Sequence, residues 1–332
     1  MARRLVVGID LGGTKVSAGI ADLEGVVLHR IEQPTDTESP ESCVNQLSSI
    51  TRELLDRCTG DGELACIGIG VPGITESETG LVVWAPNLPG WRNIPLGQQL
   101  SGLFHVPVLV ENDVDVAVLG EWWQGAGKGA RNVMLIAVGT GIGGGMIIDG
   151  RLYKGSGGVA GAVGWFVIGE DCLFREEYAS GGCAEYLAAG PGIGRRGQQA
   201  AEQNPSTLML KLAGGKAEAI TSRIVFEAAA AGDEPALQVV QYTARYLGIV
   251  VANAISLLNP EVIIIGGGVG EAGDILLKPI AEIAKAHAQP VSAASVRIEP
   301  AVLGNKAGLI GALCLAAEHE QHIQNTEEMR EA

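Results

Sequence analysis

The sequence has few positive charges, few aromatic residues and no long apolar run. Its 23 Lys and Arg residues are outnumbered by 38 Asp and Glu residues, so the formal net charge is -15. Nucleic acid and anionic membranes are bound by clustered Lys and Arg, and we therefore expect neither partner. The uncharged stretches 132–148 and 246–260 are shorter than the roughly 20 residues that span a bilayer, and the first residues carry no secretion signal. We expect a cytoplasmic protein with a small-molecule ligand.

Cysteine is also sparse, and the spacing of its residues excludes several classes of site. None of the 6 cysteines forms a C-x-x-C pair. This pattern predicts reduced, mostly buried thiols, and neither a disulfide framework nor a zinc cluster. The residues are Cys43, Cys58, Cys66, Cys172, Cys183 and Cys314.

Glycine and apolar residues are abundant. With 332 residues, 47% hydrophobic content and 48 glycines, the chain can bury a large core and is expected to form two domains. The segment VVGIDLGGTKVSAG (6–19) has a counterpart in RNVMLIAVGTGIGGGMIIDGRLYKG (131–155). Each contains an apolar strand, a turn of Gly and Thr, and a second strand. The repeat predicts two lobes built alike.

Strands and helices alternate between and after these hairpins, which predicts an α/β fold with a largely parallel sheet. A long helix begins at Pro235, and the final helix at 307–322 precedes a charged tail that we expect to be frayed. The other predicted helices are 42–58, 96–103 and 114–123, and the other predicted strands are 65–73, 106–113 and 262–265.

Three glycine turns, at 12–13, 139–141 and 266–268, follow predicted strands. Each turn alone is typical of a tight hairpin or a helix entry. Together they point to a ligand, because glycine lets backbone amides approach phosphate oxygens and because ligands of α/β sheets collect at the carboxyl ends of strands. Asp10 could hold the hydration shell of Mg²⁺, and Thr14 and Thr140 add hydroxyl donors. These features predict a site for a metal-bound nucleotide phosphate chain.

A second candidate site carries Glu111, Asn112, Asp113 and Asp115 where an apolar strand meets a helix. Asn and Asp are ordinary N-cap residues, and we expect Asp115 to be a cap or a solvated acid of the first turn. Asp113 differs because it follows a buried strand at the edge where the phosphates would lie. Its carboxylate could accept the proton of an attacking hydroxyl. Asp113 is therefore predicted to be either a helix cap or a general base.

Eight motifs can be read together, in chain order: GIDLGGTK, GIGVPG, APNLPGW, VENDVDVAVLGE, VGTGIGGG, GCAEYLAAG, LLNPEVIIIGGGV and LGNKAGLIGA. They cover nearly the whole chain and resemble the ROK family (repressor, open reading frame, kinase), whose kinases phosphorylate sugars. The resemblance implies a two-lobed, actin-like α/β ATPase fold of ribonuclease H-like topology, with the active-site cleft between the lobes. The N-terminal lobe would comprise 1–115 and about 305–332, with the first phosphate loop, the acceptor site and the catalytic Asp. The C-terminal lobe, 116–304, would hold the second phosphate loop, the adenosine site and the dimer contacts.

The family pattern also implies roles for single residues. Asp113 would be the catalytic base. The acceptor sugar would be bound by Gly73, Asn87, Asn112 and Glu185, whose amide and carboxylate groups suit sugar hydroxyls; for Asn87 the alternative is a turn between two prolines. The phosphate and nucleotide residues would be Asp10, Gly12, Gly13, Thr14, Lys15, Gly139, Thr140, Gly141, Gly266, Gly267 and Gly268, and Asp10 would hold Mg²⁺ through water.

The chain departs from the family near the acceptor. ROK sugar kinases usually have a Glu-x-Gly-His segment, where this chain has Ala162 in place of Glu and Trp165 in place of His. Only Cys183 of the usual CxCGxxGC zinc cluster is in place, so we expect no structural zinc. Loss of paired hydrogen-bonding groups disfavours a free pyranose and favours a deoxy sugar, a glycoside, a cyclitol or a ring that stacks on Trp165. The alternative is that Trp165 only fills the core.

Three functions follow from these observations. The first is an ATP-dependent kinase of a sugar or sugar-like polyol, using Mg²⁺ and forming a homodimer. The second is a ligand sensor, because the family includes repressors; those usually carry an N-terminal helix-turn-helix domain, whereas this sequence starts with the phosphate-loop strand. The third is a degenerate kinase that binds without turnover, which Ala162 and Trp165 favour and Asp113 disfavours. Residues 200–220 match no motif and are predicted to form a helical flap near the cleft.

Overall fold

The structure is a computed structural model that describes residues 3–60, 62–170, 172, 176–179 and 181–331. The first elements are β1 (Arg4–Leu11), β2 (Lys15–Asp22), β3 (Val27–Pro34), α1 (Pro40–Arg57), β4 (Glu63–Val71), β5 (Ile74–Glu76), β6 (Leu81–Trp84), β7 (Arg92–Ile94), α2 (Leu96–Phe104), β8 (Val108–Asn112) and α3 (Asp113–Gln124). The next are β9 (Val133–Val138), β10 (Ile142–Ile148), β11 (Arg151–Leu152), α4 (Glu176–Ala179), α5 (Cys183–Ala188), α6 (Gly190–Gln203), α7 (Leu208–Leu212), α8 (Ser222–Ala230) and α9 (Glu234–Leu258). The last are β12 (Val262–Gly266), α10 (Asp274–His287), α11 (Pro290–Ser295), β13 (Arg297–Pro300) and α12 (Ala307–Glu331).

Two five-stranded sheets share one plan, with the orders β3-β2-β1-β4-β8 and β11-β10-β9-β12-β13. In the first sheet β1 pairs antiparallel with β2 and parallel with β4, and β4 pairs parallel with β8. In the second sheet β9 pairs antiparallel with β10 and parallel with β12, and β12 pairs parallel with β13. The prediction of two lobes built alike is therefore confirmed. The prediction of largely parallel sheets is wrong, because each sheet begins with an antiparallel hairpin.

The chain divides into two compact units. Unit 1 contains the residues up to Gly129, the segment Leu152–Ala160 and the residues from Leu303, whereas unit 2 contains Ala130–Arg151 and Gly161–Val302. The sequence motifs predict the first boundary at residues 115/116, but in the structure it lies after α3. The reason is the close packing of α3 against α12, where a Cβ atom at Gly311 would overlap the backbone carbonyl of Val116.

The predicted helices agree with α1, α2, α3 and α9 to within about two residues. The last helix differs, because α12 continues through the tail that we expected to be frayed. The tail contains no Gly or Pro and is rich in Gln and Glu, which are good helix formers. Among the described residues, no helix is both long and apolar enough to cross a bilayer.

Alternation along β1 decides which side chains face each side of the sheet in unit 1. Leu5, Val7, Ile9 and Leu11 pack in one core with α1, whereas Val6 packs in another core with α12. Because successive strand residues point to opposite faces, Asp10 lies on the same face as Val6. The carboxylate of Asp10 is therefore directed to the α12 side at the carboxyl end of the strand.

The cysteine prediction needs a correction. Cys172 and Cys183 form a disulfide, with their Cα atoms 5.9 Å apart, which is within the usual range for such a bond. They are 11 residues apart in sequence, a spacing that by itself does not indicate a disulfide. The other cysteines, Cys43, Cys58, Cys66 and Cys314, are buried thiols, as predicted. The expected lack of zinc stays a prediction.

Candidate active site

The first glycine turn connects β1 to β2 and is held in shape by backbone and side-chain hydrogen bonds. The Gly12 N–H donates to the Lys15 carbonyl at 2.9 Å. The Thr35 hydroxyl donates to the Gly12 carbonyl at 2.6 Å, and the Thr35 N–H donates to the Thr14 carbonyl at 3.0 Å. Thr35 was not identified from the sequence, although it directly follows β3, the strand paired with β2. The hydroxyl-bearing Thr14 is exposed in this turn.

Asn87 and Lys15 flank the same turn. Asn87 is exposed, and a Cβ atom at Gly13 would lie 2.8 Å from its backbone carbonyl, so glycine is needed for this close approach. The Lys15 ammonium lies 3.3 Å from a carboxylate oxygen of Glu32, with both side chains well exposed. Two predicted phosphate-loop residues and one predicted acceptor residue are thus neighbours in unit 1.

Two carboxylates share the edge of the sheet in unit 1. Asp10 is the next-to-last residue of β1, and a Cβ atom at Gly308 would lie 2.5 Å from its Oδ2. Burial raises the pKa of Asp10 to about 6, repulsion from Asp113 adds to this rise, and Lys15 opposes it. A hydrated divalent cation would relieve this repulsion, since Mg²⁺ prefers carboxylate and water oxygens. Asp10 therefore fits the predicted role of holding Mg²⁺ through water.

Asp113 is the first residue of α3, directly after buried β8. Burial raises its pKa above the ordinary value for Asp, whereas the hydrogen bond from the Val114 N–H lowers it. The Val114 N–H reaches Asp113 Oδ1 and Asn112 Oδ1 at 2.9 Å each. Asn112 is the N-cap of α3, so the capping role is already filled without Asp113. A buried carboxylate with a raised pKa is suited to accept a proton from a hydroxyl.

Asn112 also contacts Gly73. Its side-chain N–H group donates to the Gly73 carbonyl at 2.6 Å. An amide has two N–H donors and two acceptor lone pairs, and the Asn112 side chain also hydrogen-bonds to Asp113, which lowers the pKa of that carboxyl. One acceptor lone pair of Asn112 therefore remains for a ligand. Gly73 has a φ of +125°, which L side chains rarely adopt.

Asp115 differs from its prediction. We expected a helix cap or a solvated acid, but the residue is 6% exposed within the first turn of α3. Burial and the neighbouring Glu111 raise its pKa to about 7, and Lys154 opposes this rise. The polar end of β8 thus carries three neighbouring acids, of which Glu111 and Asp115 are buried and Asp113 is partly buried. The sequence pattern alone does not distinguish this arrangement from a solvated helix start.

The second and third glycine turns meet in unit 2. The Val269 N–H donates to the Val138 carbonyl at 2.9 Å, which holds the turn after β12 against the end of β9. Gly266 ends β12 opposite Ala137. A pocket of about 770 Å³ opens here and is lined by Gly139, Thr140 and Gly268 among others. The structure therefore brings together two glycine turns that are far apart in sequence.

We call this cavity the nucleotide pocket, after the ligand predicted for its two glycine turns. Its remaining wall was not predicted from the sequence. It comes from the start of α6 and from the segment before α8, and the Gly190 N–H at the start of α6 donates to the Gly139 carbonyl at 2.8 Å. These residues belong to no phosphate-loop pattern, and part of them lies in the segment for which no motif was found. They are Pro191, Gly194, Arg195, Gln198, Glu218, Ile220, Thr221, Ser222 and, after β12, Val269.

Arg195 has a fixed orientation in the nucleotide pocket. Its guanidinium donates to the Tyr186 carbonyl at 2.7 Å and lies 3.9 Å from the centre of the Tyr186 ring. Arg195 also lines a smaller cavity of about 160 Å³ next to Thr140 and Glu185. A guanidinium carries five donors in a planar fork, so donors remain for an anion bound in either cavity.

Glu185 links the second phosphate loop to the segment that departs from the family pattern. Its Oε2 accepts a hydrogen bond of 2.7 Å from the Ile142 N–H. A Cβ atom at Gly141 would lie 2.6 Å from Oε2, and one at Gly164 would lie 3.2 Å from the Glu185 Cβ. The predicted acceptor residue Glu185 thus also supports the phosphate loop.

Trp165 and Ala162 are both exposed in and beside the 3₁₀ helix Val163–Trp165. Trp165 is 56% exposed. The alternative that it only fills the core is therefore wrong. An exposed indole one turn from Ala162 offers a flat apolar surface in unit 2.

Comparison with known proteins assigns the family. The ROK family model matches residues 6–319. A glucokinase of Halalkalibacterium halodurans is 37% identical over 330 residues, which is 99% of each chain. The crystal structure of a ROK family glucokinase from Streptomyces griseus in complex with glucose and AMPPNP is 33% identical, with a TM-score of 0.75, and the match covers 95% of this chain and 99% of that one.

The family also contains regulators. The xylose repressor of Caldicellulosiruptor bescii is 28% identical over 93% of this chain and 77% of the repressor. The matches to kinase structures confirm the predicted two-lobed, actin-like α/β fold class. From residue 6 to residue 319 the sequence fits one family, and this chain belongs to the ROK family.

Proposed function

We propose that this chain is an ATP-dependent kinase that transfers the γ-phosphoryl group to a hydroxyl of a sugar or sugar-like polyol. The observation that carries the proposal is Asp113, an acid at a buried helix start with a raised pKa, in a chain similar to glucokinases along its whole length. A phosphoryl acceptor needs such a base, because its hydroxyl must lose a proton as the new O–P bond forms.

Residues of unit 1 perform the proton transfer and orient the acceptor. Asp113 accepts the proton of the attacking hydroxyl. Asn112 and Asn87 bind neighbouring hydroxyls, and the hydrogen bond to Gly73 limits the motion of the Asn112 amide. Holding the hydroxyl near the base removes part of the entropic barrier to reaction.

Residues of unit 2 bind the donor nucleotide. The nucleotide pocket offers glycine backbone at Gly139 and Gly268 for phosphate oxygens, the Thr140 hydroxyl, and the Arg195 guanidinium. In unit 1 the Gly13 and Thr14 amides are of the same kind, whereas the Gly12 N–H donates to the Lys15 carbonyl. Asp10 would hold Mg²⁺ through water, and the cation would neutralise charge on the phosphate chain.

The acceptor pocket is atypical for the family. Ala162 and Trp165 replace a carboxylate and an imidazole by a methyl group and an indole, which cannot pair with two free hydroxyls. Each unpaired buried hydroxyl would cost about 1–3 kcal/mol. We propose that the acceptor lacks one of these hydroxyls, as in a deoxy sugar, a glycoside or a carbocyclic sugar analogue, and that its ring stacks on exposed Trp165.

A non-catalytic sensor is the second candidate function, favoured by the similarity to a xylose repressor and by the changes at Ala162 and Trp165. Mg-ATP consumption by the purified protein separates the two functions. The acceptors would be hexoses, amino sugars, deoxy sugars, glycosides and cyclitols. We expect turnover of one class and a loss of roughly 10²- to 10⁴-fold in Asp113→Asn with nucleotide binding retained. Absence of turnover despite ATP binding would contradict the kinase and support the sensor.

A further inference from the structure

The segment Leu152–Ala160 belongs to unit 1, although the chain on both sides of it belongs to unit 2. Its Lys154 forms an ion pair with Glu111, with Nζ 2.6 Å from Oε1. The Glu111 side chain is 7% exposed and that of Lys154 is 29% exposed. Separating such a pair leaves a charge unpaired and away from water, so the ion pair anchors the segment to β8.

Glu111 is held at both carboxylate oxygens. Its Oε2 accepts a hydrogen bond of 2.6 Å from the Ser77 hydroxyl, just after β5. Glu111 is followed directly by Asn112 and Asp113. The contacts that hold the Glu111 side chain therefore also restrain the backbone that leads into these two acceptor-site residues. A change in the Glu111 contacts would therefore be transmitted to them through one or two peptide units.

The segment closes on itself next to the same strand end. The Ala160 N–H donates to the Lys154 carbonyl at 3.0 Å, which makes a closed loop of the residues between them. Gly155 and Gly158 have φ values of +69° and +70°, and a Cβ atom at Gly158 would lie 3.7 Å from the Thr75 carbonyl in β5. The loop thus lies against β5, which begins directly after Gly73.

Lys154 also provides positive charge next to the buried acids. It lowers the pKa of Asp115, which Glu111 and Asp113 raise. Without it, Glu111 and Asp115 would be two neighbouring carboxylates with a weaker counter-charge. Repulsion between them would act on the first turn of α3, where Asp113 lies.

We propose that Lys154 is a positioning residue of the acceptor site. It fixes Glu111, and through Glu111 the positions of Asn112 and Asp113, and it holds the loop 155–159 against β5, the strand that follows Gly73. The inference rests on the kinase function proposed above. Lys154 is not among the described residues that line the proposed nucleotide pocket, so its loss should affect the acceptor alone.

Hydrogen exchange tests the positioning without any need for turnover. In Lys154→Ala we expect faster exchange in peptides covering 152–161 and 108–114 than in the wild type, with Lys154→Arg close to the wild type. Lys278→Ala, which removes an exposed ion pair with Asp274 on α10, is the matched control and should change neither peptide. Unchanged exchange in Lys154→Ala would overturn the inference.

Kinetics test the role in the acceptor site. For the acceptor identified with the wild type, Lys154→Ala should raise KM roughly tenfold or more and leave KM for Mg-ATP within about twofold. Propylammonium added to Lys154→Ala should lower the acceptor KM again, because it can occupy the place of the missing side chain beside Glu111. An unchanged acceptor KM, or equal rises in both KM values, would overturn the inference. If the wild type itself has no turnover, the proposed function fails, and the exchange experiment still decides whether Lys154 positions 108–114.

Discussion

The side-chain amide of Asn112 joins the start of α3 to the turn after β4: it donates to the Gly73 carbonyl at 2.6 Å, while its oxygen accepts from Val114 at 2.9 Å. The residue before Asp113 is thereby fixed in two directions. The contact depends on the conformation of Gly73, whose φ is +125° and where a Cβ atom would overlap the Trp84 carbonyl. Gly73 is therefore needed for backbone geometry in addition to its predicted role at the acceptor.

Gly73→Ala should destabilise the protein. The new methyl group requires both a disfavoured φ and displacement of the Trp84 carbonyl, so we expect a loss of roughly 2–4 kcal/mol in the free energy of unfolding. Gly102→Ala is the control, because Gly102 lies in α2 with nothing near its added Cβ atom, and it should stabilise by about 0.5–1 kcal/mol. Urea unfolding measures both changes. Equal stability of Gly73→Ala and the wild type would contradict the prediction.

The double variant Ala162→Glu and Trp165→His should shift the acceptor preference. It restores the carboxylate and imidazole that ROK sugar kinases usually have, so kcat/KM for unsubstituted hexoses should rise roughly tenfold or more relative to glycosides. Val302→His, a change at another exposed apolar side chain of unit 2, should leave the ratio unchanged. No shift in the double variant would show that these two positions do not face the acceptor.

Asp115 should make the stability depend on pH. Its pKa is raised to about 7 in the folded protein from an ordinary value of 3.8, so the folded state keeps a proton that the unfolded chain loses. The free energy of unfolding must then fall as pH rises from about 4 to about 7. Asp115→Asn removes this contribution. The difference in free energy of unfolding between the variant and the wild type should therefore shift in favour of the variant by roughly 1–3 kcal/mol from pH 5 to pH 8.

The pH dependence of stability is compared between the variant and the wild type. The contributions of the acids that both proteins share, including Asp10 and Asp113, cancel in this comparison. Asp274→Asn, at an exposed carboxylate of α10, is the control and should differ between the two pH values by less than about 0.5 kcal/mol. The measurement is urea unfolding at both pH values. An Asp115→Asn variant that loses more stability at pH 8 than at pH 5 would show that the carboxylate is charged and stabilised in the fold.

Turns, caps and strand–helix boundaries could be predicted from short stretches of the sequence, because residues close in sequence determine them. The two hairpins follow from glycine turns between apolar runs, and the start of α3 follows from Asn112, which is an ordinary N-cap. The boundary of unit 1 was missed because it depends on the packing of α12 against α3, which no pattern within residues 113–124 indicates. The disulfide between Cys172 and Cys183 was missed because their spacing of 11 residues matches no disulfide or metal motif.

The candidate site was predictable where its residues belong to motifs and not elsewhere. Gly139 was predicted in the second phosphate loop and Gly268 at the adenosine side of the nucleotide, and both line one pocket in the structure. Arg195 and Thr221 line the same pocket but stand in no recognisable pattern, because a single polar side chain on a helix or loop has no periodicity. The exposure of Trp165 likewise depends on neighbours distant in sequence.

Arg195 should bind the donor nucleotide. Stacking on Tyr186 and the hydrogen bond to its carbonyl hold the guanidinium at the edge of the nucleotide pocket, so its charge can act on the phosphates without further ordering. Arg195→Met should weaken Mg-ATP binding roughly tenfold or more, measured by calorimetry, with the acceptor KM unchanged. Arg195→Lys keeps the charge but loses the planar stacking. Its affinity for Mg-ATP should lie between the affinities of the wild type and Arg195→Met. Arg297→Met, at an exposed residue of β13, should bind Mg-ATP with the affinity of the wild type.

Equal Mg-ATP affinities of Arg195→Met and Arg297→Met would mean that Arg195 only supports Tyr186 in α5. A residue with that role alone has no charge-dependent effect on nucleotide binding.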